Sequence, residues 1–346
     1  MTLQASNLRV GLVGVGRMGL RHLQVLDDLG MDIVGLADRS DEAVAQARGR
    51  QAGAAGAQTY ADGVEMIAAT RPDAVVIATT APSHAMLVEA AVANGARFVL
   101  CEKPIGTSIA ESERIVEACR AAGAKLAVNH QMRFMAQYTE VKRLIGSEAF
   151  GPLASVVVAG SNFGLAMNGS HYFEMFRYIA DAPVTDVSAW LDEELLPNPR
   201  GPEFEDRSGR LLARNAIGQT LFMDMPATAG WGLNVTYLCR NGQIHVDELN
   251  GEMRLAYREA EYRDLPTTRY GMPVEREVVS ITPADAVAPT REVWQAMLAG
   301  DDYPTGEDGL AALRCLVAAH LSHESGGQAV AIADTGRARE RRFGWA

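Results

Sequence analysis

The chain has 346 residues, of which 48% are hydrophobic and 22% charged, and carries a net charge of −11 at neutral pH. That length predicts about two domains with ample cores, and the acidic balance argues against a nucleic-acid surface, which needs clustered Lys and Arg. No apolar run reaches the roughly 18 residues of a membrane span. Four scattered cysteines without a CxxC pair argue against a zinc ribbon or a disulfide scaffold, and residues 1–7 lack a signal-peptide pattern, so a cytoplasmic chain without structural metal is expected.

An apolar run at 10–13 reads as a buried parallel strand, and 18–29 as a helix with Leu20, Leu23, Leu26 and Leu29 on one stripe. Between them Gly14, Gly16 and Gly19 stand at GxGxxG spacing, and a second apolar run at 31–37 ends on Asp38. Strand, glycine turn and helix in that order predict a dinucleotide site. The first glycine permits the turn, the second lets backbone approach a pyrophosphate, the third brings helix and strand together, and the acid accepts from a ribose 2′-hydroxyl. Asp38 favours NAD; the adjacent Arg39 keeps NADP open.

Strand and helix signals keep alternating: helix 41–52, strand 58–60, helix 63–69, strand 73–78 ending on Thr79, helix 83–94, strand 98–101 ending on Glu102-Lys103-Pro104, helix 108–122 and strand 125–129. This predicts an α/β Rossmann domain, a doubly wound parallel sheet, over residues 1–129. Its coenzyme-binding set is Gly14, Gly16, Arg17, Met18, Gly19, Asp38, Arg39, Thr79, Glu102 and Lys103. After residue 129 a helix at 131–145 and a strand at 153–159 open a second, α+β domain, residues 130–346. Strands at 211–224, 231–240, 243–248 and 252–258, with Asn241-Gly242 as a hairpin turn, predict a large, mainly antiparallel open sheet. Helices at 290–298 and 307–324 follow and are expected to pack back toward the first domain. The basic run Arg337, Arg339, Arg341 and Arg342 reads as a solvated tail.

Lys103 follows a strand end on the same sheet edge as the glycine turn, where an amine can hydrogen-bond a substrate hydroxyl and stabilise developing alkoxide charge. GVGRMG at 14–19, ATTAPSH at 78–84, CEKP at 101–104, GSHYFEMFRY at 169–178 and TGEDGLAAL at 305–313 together resemble the Gfo/Idh/MocA oxidoreductases. The resemblance spans nearly the whole chain. It implies an active-site role for the EKP lysine, often before a cis proline, and a proton-transfer role for the histidine of a DxGxH or DxxxH pattern, hence Lys103 and His171. It further implies a homo-oligomer formed through the open sheet. The family aspartate four residues before that histidine is replaced by Met167.

Asn168 is the candidate that binds a substrate hydroxyl, since its amide donates and accepts but is no base. Gln131 and Arg133 complete the substrate-binding set with Lys103, Asn168 and His171; Arg133 reads equally as a structural ion-pair partner. Glu174 shares a helical face with His171 and is a candidate to orient its ring, while His130 reads as a packed residue. Asn162, Tyr172 and Trp231 are weaker sugar contacts, and His320 with His323 lacks the third ligand of a metal site. The charged stretch 198–214, with Arg200, Arg207, Arg210, Arg214, Glu203, Glu205 and Asp206, decides nothing about substrate charge. The expected reaction is hydride transfer between a secondary alcohol of a sugar, cyclitol or sugar derivative and nicotinamide, with His171 as the better base and Lys103 as the better polariser, the reverse assignment staying open. Two alternatives are an NAD-dependent glycosidase using transient oxidation and a non-catalytic nucleotide-sensing regulator of the same fold.

Overall fold

The computed structural model describes residues 5–266 and 271–346. Six strands, β1 (Arg9–Val13), β2 (Asp32–Ala37), β3 (Gln58–Tyr60), β4 (Ala74–Ile77), β5 (Phe98–Cys101) and β6 (Lys125–Val128), form a parallel sheet in the order β3-β2-β1-β4-β5-β6. Helices α1 (Arg17–Asp28), α2 (Asp41–Arg50), α3 (Gly63–Thr70), α4 (His84–Ala93) and α5 (Ile109–Ala122) supply the crossovers. Every residue of β4 and β5 is buried, as a parallel sheet covered on both faces requires, which is why these strands read as unbroken apolar runs. Strand order reverses between β1 and β4, so a crevice opens at their carboxyl ends, where the glycine turn and Thr79 emerge.

After α6 (Ala136–Leu144) come β7 (Leu153–Gly160), α7 (Ser170–Ala180), β8 (Val184–Leu191), β9 (Gly209–Asn215), β10 (Thr220–Met225), β11 (Leu233–Cys239), β12 (Gly242–Asp247), β13 (Glu252–Arg258) and β14 (Val274–Ser280). Helices α8 (Val287–Ala299) and α9 (Gly306–Glu324) and the short β15 (Val330–Ala331) follow. The second sheet runs β14-β13-β12-β11-β7-β10-β9-β8-β15, antiparallel except for the parallel β7–β10 pair. Its inward residues, among them Val156, Val158, Leu221, Met223, Val235 and Tyr237, are buried in one core with Phe173 and Phe176 of α7 and Leu316 of α9. Trp294, Val293 and Met297 of α8 complete the other core, beside Leu23 and Leu26 of α1. The segment before α9 closes the β6 edge: Val128 N–H donates to the Pro304 carbonyl at 3.0 Å and Thr305 bridges Ala127.

Several expectations are corrected. The single strand over 211–224 is a hairpin of β9 and β10, turned by Asn215, whose side-chain oxygen accepts from Ile217 N–H at 3.2 Å and Gln219 N–H at 2.9 Å, and by Gly218 at φ 83°. The helix over 131–145 is broken at Met135, which is extended (ψ 147°), leaving a 3-10 turn Gln131–Phe134 ahead of α6. Strands β8 and β14 were not expected. The arginine run is no free tail: Arg339 pairs with Glu113 at 2.7 Å, Arg341 with Glu324 at 2.6 Å and Arg342 with Glu111 at 2.7 Å, while Phe343 and Trp345 are buried.

Candidate active site at the sheet seam

The glycine turn has the shape that a dinucleotide requires. Gly14 sits at φ 85°, and a Cβ there would lie 2.8 Å from the Ala78 carbonyl carbon. A Cβ on Gly19 would lie 2.0 Å from the Gly14 oxygen, so this glycine lets α1 meet the turn. Gly16 differs: nothing stands within 4 Å of its would-be Cβ, so its bare backbone borders open space. No side chain caps the N-terminus of α1, leaving its first N–H groups to face an anion. Arg17 is exposed and Met18 half-buried beside them. Asp38 accepts from Val15 N–H and Ser40 N–H, each at 2.9 Å, which ties the turn to the end of β2. Its oxygens keep lone pairs for a ribose hydroxyl. Arg39 is exposed. Thr79 lies against the turn, its amide nitrogen 3.0 Å from the Gly14 Cβ position.

Glu102, expected at the coenzyme, is 6% exposed and its carboxylate anchors the interior of this edge. Its Oε1 accepts from His22 Nε2–H and from Asn129 Nδ2–H, both at 2.8 Å. Burial alone would raise its pKa, but the His22 hydrogen bond and charge, with Lys103 and Asn129, hold the carboxyl down at about 2. The next residue turns outward across a cis Lys103–Pro104 bond. His84, fully buried, lies between the two loops of this edge, with Nε2 3.1 Å from the Thr79 carbonyl and Nδ1 3.1 Å from that of Pro104.

The Lys103 ammonium reaches the second domain and donates to the Met167 carbonyl, four residues before His171. Burial lowers the lysine pKa, Arg200 and Arg17 lower it further, and Glu102 and Asp206 oppose them. His171, in the first turn of α7, is buried, and its Nδ1 has no partner among the described residues. Burial, then the Lys103 and His130 charges, hold its pKa well below the ordinary histidine value, so the imidazole is neutral at pH 7. Gln131 is buried with Oε1 unpartnered, and Asn168 is half-buried in the one-turn π-helix Leu165–Gly169.

The structure does not bring Arg133 and Glu174 to this cleft as substrate or His171 contacts. They pair with each other, both side chains 2% exposed. Arg133 also bonds Asp308 at 3.0 Å and Asp302 at 2.9 Å, and lies over the Tyr178 ring. A planar five-donor guanidinium satisfies several carboxylates at once, which suits it to knit the 131–134 turn, α7 and the start of α9 together. Tyr172 likewise points into the core and donates to Glu248 at 2.9 Å, and Trp231 is exposed.

Of two further seam residues, His130 is packed as the sequence reading expected, though its place beside His171 was not read, and Asp206 was not singled out. His130 is 1% exposed with both ring nitrogens unpartnered among the described residues, its ring meeting that of His171 edge-on at 5.3 Å. Burial, Lys103 and Arg133 hold its pKa down to about 3. Asp206, from the loop between β8 and β9, accepts from the backbone of Ala166 and Met167. Its signal was hidden in a stretch of mixed charge. His130 had one available signal, its place directly after the last strand of the first sheet.

The chain is similar to known proteins in sequence and in fold. A family model described as "Oxidoreductase family, NAD-binding Rossmann fold" matches residues 8–130. Inositol 2-dehydrogenase 4 of Saccharopolyspora erythraea is 40% identical over 257 residues, 69% of this chain and 73% of that protein. Inositol 2-dehydrogenase 3 of the same organism is 35% identical over 147 residues, and the match covers 42% of each chain. The crystal structure of GenD2 from gentamicin A biosynthesis in complex with NAD superposes with a TM-score of 0.74 at 23% identity, covering 96% of this chain and 97% of that one.

Proposed function

The chain belongs to the Gfo/Idh/MocA family of NAD-binding oxidoreductases, and we propose that it oxidises a secondary alcohol of a sugar, cyclitol or sugar derivative with NAD. One observation carries this reading: the Lys103 amine, issuing from the crevice edge of the first sheet, touches the backbone of the turn that leads into His171. Amine and imidazole thus stand at one seam, next to the nucleotide crevice. The names of the relatives, inositol dehydrogenases among them, support a polyhydroxylated substrate. So do the unpartnered polar atoms of His130, Gln131 and His171, because a buried donor or acceptor left unmade costs ~1–3 kcal/mol and a substrate hydroxyl would satisfy it.

NAD bound over Gly14, Gly16 and Gly19 would supply the hydride acceptor. Arg17, Met18 and the N-terminus of α1 would hold its diphosphate, Asp38 would accept from the ribose hydroxyls, and Thr79 and Lys103 would lie toward its nicotinamide. The Asp38 carboxylate disfavours a 2′-phosphate, which makes NAD rather than NADP the coenzyme. Gln131 and Asn168 orient hydroxyls. Neutral His171 takes the hydroxyl proton as the carbon-bound hydrogen leaves, and the Lys103 ammonium stabilises the alkoxide that forms between them. Residues 1–129 hold coenzyme and 130–346 substrate. The outward row Leu212, Phe222 and Val157, in register across β9, β10 and β7, together with exposed Trp190 and Leu238, supports a homo-oligomer through that face. No described helix is long and apolar enough to cross a membrane, and a cytoplasmic location is part of this reading.

The test is NADH formation over a panel of sugars, inositols, amino sugars and nucleotide sugars, with Lys103→Ala and His171→Ala as controls. Turnover with at least one of them, lost in both variants, is expected. A variant that turns over like the parent removes its residue from the mechanism, and Asp38→Ala binding NAD undiminished removes the ribose assignment.

A further inference from the structure

A carboxylate from a distant loop grips the peptide unit that Lys103 touches. Asp206 Oδ1 accepts from Ala166 N–H at 2.8 Å and Oδ2 from Met167 N–H at 2.7 Å, the first turn of the π-helix Leu165–Gly169. The Lys103 ammonium donates to the carbonyl of that same Met167. Met167 is therefore held by its N–H from one side and by its C=O from the other. Space at this point is made by Gly164: a Cβ there would fall 2.0 Å from Asp206 Oδ2. Lys103, Met167, Arg200 and Asp206 line one small cavity of about 20 Å³.

Charge reinforces the contact. The charged groups that act on the amine include Glu102, Arg17, Arg200 and Asp206, it acts in turn on His130 and His171, and Ala346 at the chain end lines the same cavity. Of the two carboxylates, Glu102 already serves His22 and Asn129. Arg200 forms no ion pair among the described residues, and its charge, like that of Arg17, acts against the ammonium. We propose that Asp206 is the positioning residue of the Lys103 amine, fixing the Met167 carbonyl that receives it and balancing the cations beside it. The proposal rests on the reading of Lys103 as the group that polarises the reacting oxygen. Burial raises the Asp206 pKa to about 6 against the pull of the Ala166 and Met167 N–H groups and Lys103, which leaves it ionised at neutral pH.

The experiment measures the amine itself. Acetylation of Lys103 by acetic anhydride, followed by peptide mass spectrometry across pH in the intact protein with and without NAD, reports its titration without any substrate. In Asp206→Asn the titration moves to lower pH by about one unit, the lower end of what a nearby opposite charge contributes, and Asp206→Glu restores it. Gly164→Ala, which displaces the carboxylate without removing charge, moves it the same way and keeps the test open if Asp206→Asn folds poorly. With a substrate from the panel, kcat falls roughly 10- to 100-fold, as misplacement of a reacting group does, its alkaline limb moves down, and NAD affinity holds. A purely structural clamp would lower kcat evenly across pH and leave the acetylation profile in place, and that result overturns the proposal. Shifted acetylation in a protein whose Lys103→Ala variant still turns over would instead overturn the role of Lys103 and leave the positioning intact.

Discussion

Replacing Arg133 by alanine separates a structural cation from a substrate ligand. The guanidinium and its partner Glu174 are each 2% exposed, so the variant strands a carboxylate in the interior with only Arg177, at 3.2 Å, still beside it. Breaking a buried pair by removing one partner costs about 3–5 kcal/mol, and the surviving Arg177 contact places this case near 3. Asp302, 73% exposed, adds little. Burial already raises the Glu174 pKa, with Arg133 opposing, so the variant pushes it further up. The sign follows: a carboxyl raised above its unfolded value withholds stability as pH rises, hence the loss is largest at alkaline pH and shrinks in acid, where Glu174 takes a proton. Urea unfolding from pH 5 to pH 8, beside NADH kinetics, reads both effects. Arg133→Met with Glu174→Leu should recover most of the stability, since apolar replacements avoid the stranded charge. An Arg133→Ala protein with parental unfolding midpoints and a raised KM would refute the structural assignment.

Glu248 is buried against the hydroxyls of Tyr138 and Tyr172, and burial raises its pKa to about 7 against their hydrogen bonds. Stability is therefore fully present below the unfolded value near 4.5 and falls as pH climbs toward 7, by up to about 3 kcal/mol; Glu248→Gln should be the more stable protein at pH 8 and no better at pH 4.5 in chemical denaturation. In the coenzyme turn, Gly19→Ala forces its Cβ onto the Gly14 oxygen and should lower both melting temperature and NAD affinity. Gly16→Ala meets no protein atom and should weaken NAD binding, measured by calorimetry, with the melting temperature unchanged.

The first sheet was legible because its inner strands are buried on both faces, so β4 and β5 appear as apolar runs bounded by turn residues. Asp38 and Lys103 were legible for the same reason, the first directly after such a run and the second one residue further on. The second sheet hid more. Ile217, exposed at the tip of the β9–β10 hairpin, continues the apolar pattern and masks a turn that Asn215 makes with its side chain. Every residue of β14 beyond its first is exposed, so an edge strand leaves no alternation to read. Arg133 announced a charge but not its partners, because Asp302 and Asp308 lie far along the chain. Asp206 was invisible as a site residue for a like reason: its contacts are to main-chain N–H groups, which leave no trace in residue type.

His84 spans the carbonyls of Thr79 and Pro104, one on the loop after β4 and the other on the loop after β5. Burial lowers its pKa, so the neutral ring carries one N–H, donates to one of those carbonyls, and fills the space between the two loops by packing. In the proposed coenzyme pose, the loop carrying Thr79 and the loop carrying Lys103 would thus share one packing partner, a residue that touches neither reactant.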